Sequence, residues 1–453
     1  MTDLTMWLPR AVEAVTAWQG EYGTTGQHSS LAVDDERLAR AFAELTDRLQ
    51  DNYPFFSPRY VGQMLKPPHP AAVLGYVTAM LINPNNHALD GGPATAAMEK
   101  DVVSRLAGMF GMPQHLGHLT SSGTIANLEA LFVSRELAPG KAVAYSADAH
   151  YTHQRMCHVL GVEGIGIPTD DTGRMDLQAL ADEMVTGRIG TVVATLGTTG
   201  LGAIDPLPEI IALARQHGAR VHVDTAYGGF FSLIADDSPD GGASAPFHAI
   251  AEADSVVVDP HKHGLQPYGC GAVLFADPSV GRLYKHDSPY TYFSSDELHL
   301  GEISLECSRA GAAAAALWLT LEVLPLTADG LGAALRPGRR GALTWHGLLE
   351  DSSSLSPYQR PELDIVTYLP YRGSMSQLDA ASAAIFRSAA DGPKPDQAHI
   401  ATYSVSGDQL AARGLVVEQD APTARILRSV VMKPESEAAI PSIHGRLERL
   451  AGA

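Results

Sequence analysis

A run of apolar residues that leads straight into a lysine is the most chemically suggestive feature of this chain. Ser255-Val256-Val257-Val258-Asp259-Pro260-His261-Lys262-His263-Gly264 delivers an amine to a tight turn. An amine at the low-dielectric end of a sheet gives up its proton more readily than in water and can attack an aldehyde. A lysine after a strand is usually a solvated turn residue, so its surroundings must decide. Upstream, Val221-His222-Val223-Asp224-Thr225-Ala226-Tyr227-Gly228 places a carboxylate at the end of a second apolar run. Such an aspartate is often a turn former; here it can face a pyridinium nitrogen and keep that ring electron-accepting. Thr120-Ser121-Ser122-Gly123-Thr124-Ile125-Ala126-Asn127 opens a helix with small residues, whose free amides and hydroxyls suit a phosphate. His150, just after a predicted strand, is placed to stack on a planar ring. An ordinary helix cap and a satisfied core histidine explain the last two equally well when each is taken alone. All four occur in one order along one region, and together they point to pyridoxal phosphate (PLP) held on Lys262.

The elements that must position these residues are an alternation of helices and short β-rich runs. Strands are predicted over 143–146, 190–196, 220–224, 255–258 and 271–275, with helices over 98–106, from 121, up to 160, and over 207–216. Gly161 and Gly218 stop two of these helices. Such alternation indicates an α/β fold with a mostly parallel sheet. Before it, Asp34 and Asp35 cap a predicted helix in which Leu38, Phe42, Leu45 and Leu49 form an apolar stripe; Pro54 ends it, and the stripe must lie on something. A long Ala-rich helix over 310–324 is expected to bridge to a second domain. After Pro325, Gly-, Pro- and Ser-rich loops surround short runs at 365–369 and 426–432 and helical patterns at 378–387 and 442–450, as in a smaller α+β domain.

The stretch 83–131 (NPNNHALDGGPATAAMEKDVV…GHLTSSGTIANLEAL), Ala149-His150-Tyr151, Ala194-Thr195-Leu196-Gly197-Thr198-Thr199-Gly200, His222 to Tyr227 and Asp259-Pro260-His261-Lys262 resemble the group II PLP-dependent amino-acid decarboxylases. These include aromatic amino-acid, glutamate, tyrosine and aspartate decarboxylases. The resemblance runs from about residue 55 to 325 and more weakly to the end. It implies fold type I, the aspartate-aminotransferase architecture, with an N-terminal helical arm (1–60), a large PLP-binding domain (61–325) and a small C-terminal domain (326–453). It implies a homodimer with shared active sites, in which 83–95 and the segment around Pro70 line the neighbouring subunit's pocket. Lys262 would form the Schiff base, Asp224 pair with the pyridine nitrogen and His150 stack on the ring. Ser122, Gly123 and Thr124 would bind phosphate with help from His261, and Thr199 and Ala226 would lie against the ring and its hydroxyl. Arg428 matches a position that often faces the substrate carboxylate, whereas Arg309 is expected to brace a loop. The proton donor of the eukaryotic members is a tyrosine on a loop after the lysine; Tyr290 and Tyr292 are the candidates here, in a loop that does not match closely.

The expected activity is removal of the α-carboxylate of an L-amino acid. Other fates on the same fold are oxidative deamination coupled to decarboxylation, β-elimination from an S-substituted cysteine, and transamination. A non-catalytic PLP-binding module would leave the lysine and its ring partners superfluous. Metal chemistry on His150, His153 and His158, or on His261 and His263, lacks a carboxylate at a supporting spacing, so no metal is expected. A formal charge of −19 argues against nucleic acid, which demands a basic face. Hydrophobic content of 45% and charged content of 18% are those of an ordinary globular chain. Three scattered cysteines, no apolar run of membrane-spanning length and no secretory pattern at the N-terminus lead to the expectation of a soluble, cytoplasmic enzyme.

Overall fold

A computed structural model of the chain describes residues 3–23, 26, 28–237, 244–285 and 298–452. Seven strands, β1 (Leu116–Thr120), β2 (Ala142–Ser146), β3 (Gly164–Ile167), β4 (Ile189–Thr195), β5 (Arg220–Thr225), β6 (Ser255–Val258) and β7 (Gly271–Phe275), form one sheet in the order β1-β7-β6-β5-β4-β2-β3. Neighbours from β6 through β5, β4 and β2 to β3 are parallel; β7 runs against both β6 and β1. Every residue of β4 and of β6 is buried, the mark of strands covered on both faces. Val192, Ala194, Val223, Val256 and Val258 join one core with Leu106 and Phe230. Ligands of such sheets collect at the strands' carboxyl ends. The β5–β6 register, with Asp224 opposite Val257 and Thr225 opposite Val258, brings the two strand ends side by side.

A second, antiparallel sheet lies in the C-terminal part. Its strands are β8 (Leu355–Gln359), β9 (Ile365–Pro370), β10 (Ala401–Ser406) and β11 (Thr423–Val430), in the order β10-β11-β9-β8. Its core holds Trp345, Tyr368, Leu427 and Ile443. The large, mostly parallel sheet and the small antiparallel one together give the expected α/β architecture. Val61 belongs to the small core, and its backbone is bonded to His399 and Val430.

The helical expectations need two corrections. The Ala-rich helix, Gly311–Val323, does not bridge the domains; it packs on the helices Pro70–Met80 and Pro93–Met109. The crossing element is the next helix, Leu331–Glu350, in a stretch expected to be loop-rich. It contacts Gly229–Asp237 of the large domain and Pro434–Ala439 of the small one. Pro337 removes one amide from its interior, yet Leu331, Leu335, Ala342, Trp345 and Leu349 form a buried face, and that burial outweighs the lost hydrogen bond. We label the N-terminal helices α1 (Leu4–Glu21) and α2 (Asp35–Leu49). Asp34 caps α2 as expected, accepting from Arg37 N at 2.9 Å. The stripe of α2 stays uncovered in the single chain: Leu38, Phe42, Leu45 and Leu49 are each more than half exposed. Among the described residues, no helix is long and apolar enough to cross a membrane.

Candidate active site

A cavity of about 220 Å³ opens at the carboxyl ends of β4, β5 and β6. Ser122, Gly123, Thr124, His150, Thr199, Asp224, Ala226, His261 and Lys262 all line it, so the structure brings together every residue expected around the cofactor. They come from segments far apart in sequence, and each is delivered by the start of a helix, the end of a strand or the turn or loop that follows one.

One wall is the start of a helix, Gly123–Leu137. Ser122 caps it by accepting from Ile125 N at 3.3 Å, which leaves the amides of Gly123 and Thr124 without intrahelical acceptors. Glycine is required at 123 because a Cβ there would stand 2.6 Å from Asp259 Oδ2. Lys262 follows β6 by a short turn, and its Nζ lies 3.1 Å from the same carboxylate oxygen. His261 donates from Nδ1 to the carbonyl of Cys270 at 2.8 Å and turns Nε2 toward Asp259, 3.5 Å away. Burial pushes the His261 pKa down, against the pull of Asp259.

Asp224 is the penultimate residue of β5 and is buried. Burial alone would raise its pKa, but the hydrogen bond and charge of His153 and the amide of Ala226 hold it well below the usual carboxylate range. His153 Nε2 lies 2.8 Å from Oδ2, and Ala226 N donates to Oδ1 at 3.0 Å. His150 is held at Nδ1 by Thr152, whose amide donates at 3.2 Å and whose hydroxyl lies at 2.6 Å. Nδ1 is therefore the acceptor and Nε2 carries the ring hydrogen. Burial lowers the His150 pKa, Asp224 opposes that shift and Lys262 reinforces it.

The cavity suits pyridoxal phosphate. It combines an open helix N-terminus for a phosphate, an amine for the aldehyde and an ionised carboxylate for the ring nitrogen. Two buried polar atoms in its wall, Thr195 Oγ1 and Asp259 Oδ1, have no hydrogen-bond partner among the described residues, so the site wants a polar occupant.

Arg428 does not line the cavity. It sits on β11, buried, and donates from Nε to Gly200 O at 2.9 Å, from Nη1 to Gly62 O at 3.4 Å and from Nη2 to Thr199 O at 2.5 Å. It thus grips the loop that carries Thr199. Arg309 pairs with Glu99 at 2.7 Å and donates its amide to Asn85 Oδ1 at 3.0 Å, which ties down the loop around residue 85. Tyr290 and Tyr292 lie outside the described residues. Asn127, Thr152 and Asp259 carry no local sequence signal of a role of their own in the site. The sequence marks His153 as a metal-ligand candidate alone, since a helix position three residues past His150 carries no other signal.

Residues 56–336 match the family model described as the pyridoxal-dependent decarboxylase conserved domain. An L-tyrosine decarboxylase of Enterococcus faecium is 28% identical, over 74% of this chain and 72% of that protein. A probable L-aspartate decarboxylase of Halobacterium salinarum is 35% identical, over 57% of this chain and 71% of that protein. Among solved structures, mouse CSAD superposes with a TM-score of 0.79 at 22% identity, covering 94% of this chain and 90% of that one. Oryza sativa TDC, solved with PLP and tryptamine, gives 0.77 at 17% identity, covering 99% and 98%. At these identities the two structures speak for the fold.

Proposed function

Because the chain belongs to the pyridoxal-dependent decarboxylase family, we propose that it removes the α-carboxylate of an L-amino acid at the cavity beside Lys262, and that it works as a homodimer. The enzyme is a PLP-dependent decarboxylase. What carries the assignment of the site is the convergence of Lys262, Asp224, His150 and the Ser122–Thr124 turn on a single cavity.

When bound, the cofactor supplies an electron sink for the bond that breaks. The chain's own residues do the rest. Lys262 would hold the cofactor through its Nζ, which lines the cavity. Asp259, whose Oδ2 lies 3.1 Å from that amine, would orient it. Asp224 keeps the ring nitrogen protonated, since an ionised carboxylate in a buried site strongly favours a cation beside it. The amides of Gly123 and Thr124 and the hydroxyls of Ser122 and Thr124 hold the phosphate, with His261 nearby. His150 would lie against the ring, with its Nε2–H free for the site because Thr152 occupies Nδ1. Thr199 and Ala226 close the remaining edges. A proton must then reach the α-carbon; Tyr290 and Tyr292 are the candidates for its donor.

The tyrosine and aspartate decarboxylases among the relatives set the first substrates to try. The dimer is supported by the uncovered stripe of α2. The test is product analysis by mass spectrometry on a panel of L-amino acids, including S-substituted cysteines, with and without oxygen. Carbon dioxide and the matching amine are expected. Pyruvate would mean β-elimination, and an aldehyde with hydrogen peroxide would mean oxidative deamination; either overturns simple decarboxylation. Borohydride treatment of the holoenzyme should fix the cofactor's mass on the peptide containing Lys262 and on no peptide of Lys262→Ala.

A further inference from the structure

Asp224 receives hydrogen bonds from two directions besides the Ala226 amide. On one side Asn127 Nδ2 lies 3.4 Å from Oδ2. The orientation of that amide is set by His222, whose Nε2 is 2.8 Å from Asn127 Oδ1 and whose Nδ1 is 2.9 Å from Ser255 Oγ. An amide oxygen only accepts, so His222 Nε2 carries the hydrogen and Nδ1 accepts from the Ser255 hydroxyl. Every hydrogen in the chain Ser255, His222, Asn127 then points toward Asp224. On the other side stands His153, fully buried, outside the cavity, on the helix Thr152–Leu160. Its Nε2 makes the shorter contact with Oδ2, at 2.8 Å. Its Nδ1 has no hydrogen-bond partner among the described residues, and its ring is stacked on Tyr145 at 6.0 Å. Burying an imidazole with a single hydrogen bond is costly, and an aliphatic side chain would serve packing better. Among the described residues, the one hydrogen bond its ring makes is with the carboxylate that faces the cavity.

We propose that His153 is a positioning residue for decarboxylation: by donating to Oδ2 it keeps Asp224 ionised and leaves Oδ1 turned toward the cofactor's ring nitrogen. This rests on the pairing of Asp224 with that nitrogen proposed above. Two donors on Oδ2 against one amide on Oδ1 make Oδ1 the oxygen with acceptor capacity to spare. The strength of the ring-nitrogen contact is then set by a side chain that touches neither cofactor nor substrate.

The experiment compares His153→Leu, His153→Gln and Asp224→Ala with the parent enzyme. Cofactor affinity is measured by titrating apoprotein, together with the absorption maximum of the bound cofactor, kcat and KM. A buried hydrogen bond to a charged group is lost in the leucine variant, so its cofactor affinity should fall about 10- to 100-fold. Its absorption maximum should move, and kcat should drop more than KM rises. The amide introduced by His153→Gln can donate to Oδ2, so that variant should recover to within a few-fold. If the leucine variant keeps parental affinity and spectrum while Asp224→Ala loses both, His153 is merely structural and this inference fails alone. If Asp224→Ala also leaves affinity and spectrum unchanged, the ring-nitrogen pairing fails with it. Should the leucine variant not fold, the parent apoprotein decides the matter by proton NMR. A low-field imidazole N–H resonance that is lost both in His153→Gln and in Asp224→Ala supports the proposal; its absence from the parent overturns it.

Discussion

His222 shows most plainly how burial acts against charge. It is wholly buried in β5, and burial, reinforced by nearby His153, brings its pKa down to about 3 despite the opposing pull of Asp224. In the unfolded chain an unperturbed histidine titrates near 6.5. Between those values the unfolded chain binds a proton that the folded one does not, so stability is present above about 6.5 and is lost as pH falls toward 3, by about 1.4 kcal/mol per pH unit. His150, His261 and His263, each lowered by burial, add to the same trend. Asp224, held below the usual carboxylate range, contributes stability that is fully present above the unfolded carboxylate value and is lost as pH falls from there through the lower folded one. Denaturant unfolding of the apoprotein between pH 6 and 4 should therefore lose stability with a slope about one proton shallower in His222→Gln than in the parent. Equal slopes would mean that His222 is charged in the folded chain. At this scale the sequence was legible where a residue type and a strand end coincide, as at Lys262 and Asp224. It was silent where function depends on side chains meeting in space: nothing local links Asn127 and His153 to Asp224, because two helices and a strand must pack before the three converge.

Among the elements, α2 is the one whose sequence and surroundings disagree. Its stripe of Leu38, Phe42, Leu45 and Leu49 has helical spacing and a proper cap, yet none of its residues is buried. An apolar face of this kind finds a partner, and the proposed dimer supplies one. Each large apolar side chain buried there contributes about 1.5–3 kcal/mol. The double substitution Leu38→Glu and Phe42→Glu should therefore raise the dimer dissociation constant at least ~100-fold, with activity falling alongside if the sites are shared. Analytical ultracentrifugation across a dilution series checks it; a variant as dimeric as its parent would place the interface elsewhere. The helix Leu331–Glu350 teaches the opposite lesson, since its composition hid it. Its glycines and Pro337 read as loop, but a Cβ at Gly338 would collide with the carbonyl oxygen of Val431, and one at Gly341 would lie 3.1 Å from the Val431 side chain. Those glycines mark close approach to the small domain rather than a turn. The helix Leu207–Gln216 was legible to the residue because its apolar period and glycine stop are local signals.

At the scale of the whole molecule, the small domain holds the cavity's walls in place. Asp364, just ahead of β9, is almost completely buried. It accepts from the Tyr227 hydroxyl at 2.5 Å, and its other oxygen lies 3.3 Å from His263 Nε2. Tyr227 is three residues past Asp224 and His263 is one past Lys262, so a single carboxylate of the small domain ties together the turns that carry Asp224 and Lys262. His263 and Tyr227 hold the Asp364 pKa down against burial, and burial together with that carboxylate raises the Tyr227 pKa well above its usual value. Arg428 does the same for the Thr199 loop from β11. Removing one partner of a buried charged network leaves the others desolvated and unpaired. Asp364→Ala should thus lower the stability of the apoprotein by about 3–5 kcal/mol, whereas Asp364→Asn, which still accepts from Tyr227, should lose less. Because the damage falls on the turns that carry Asp224 and Lys262, both variants should weaken cofactor binding, in the same order as their loss of stability. Arg428→Met separates docking from substrate recognition. A loop clamp predicts weaker cofactor binding, whereas a carboxylate partner predicts a raised KM with cofactor affinity intact. With three of its donors on backbone carbonyls, Arg428 should follow the first course, and the second result would show that it leaves the loop to meet substrate.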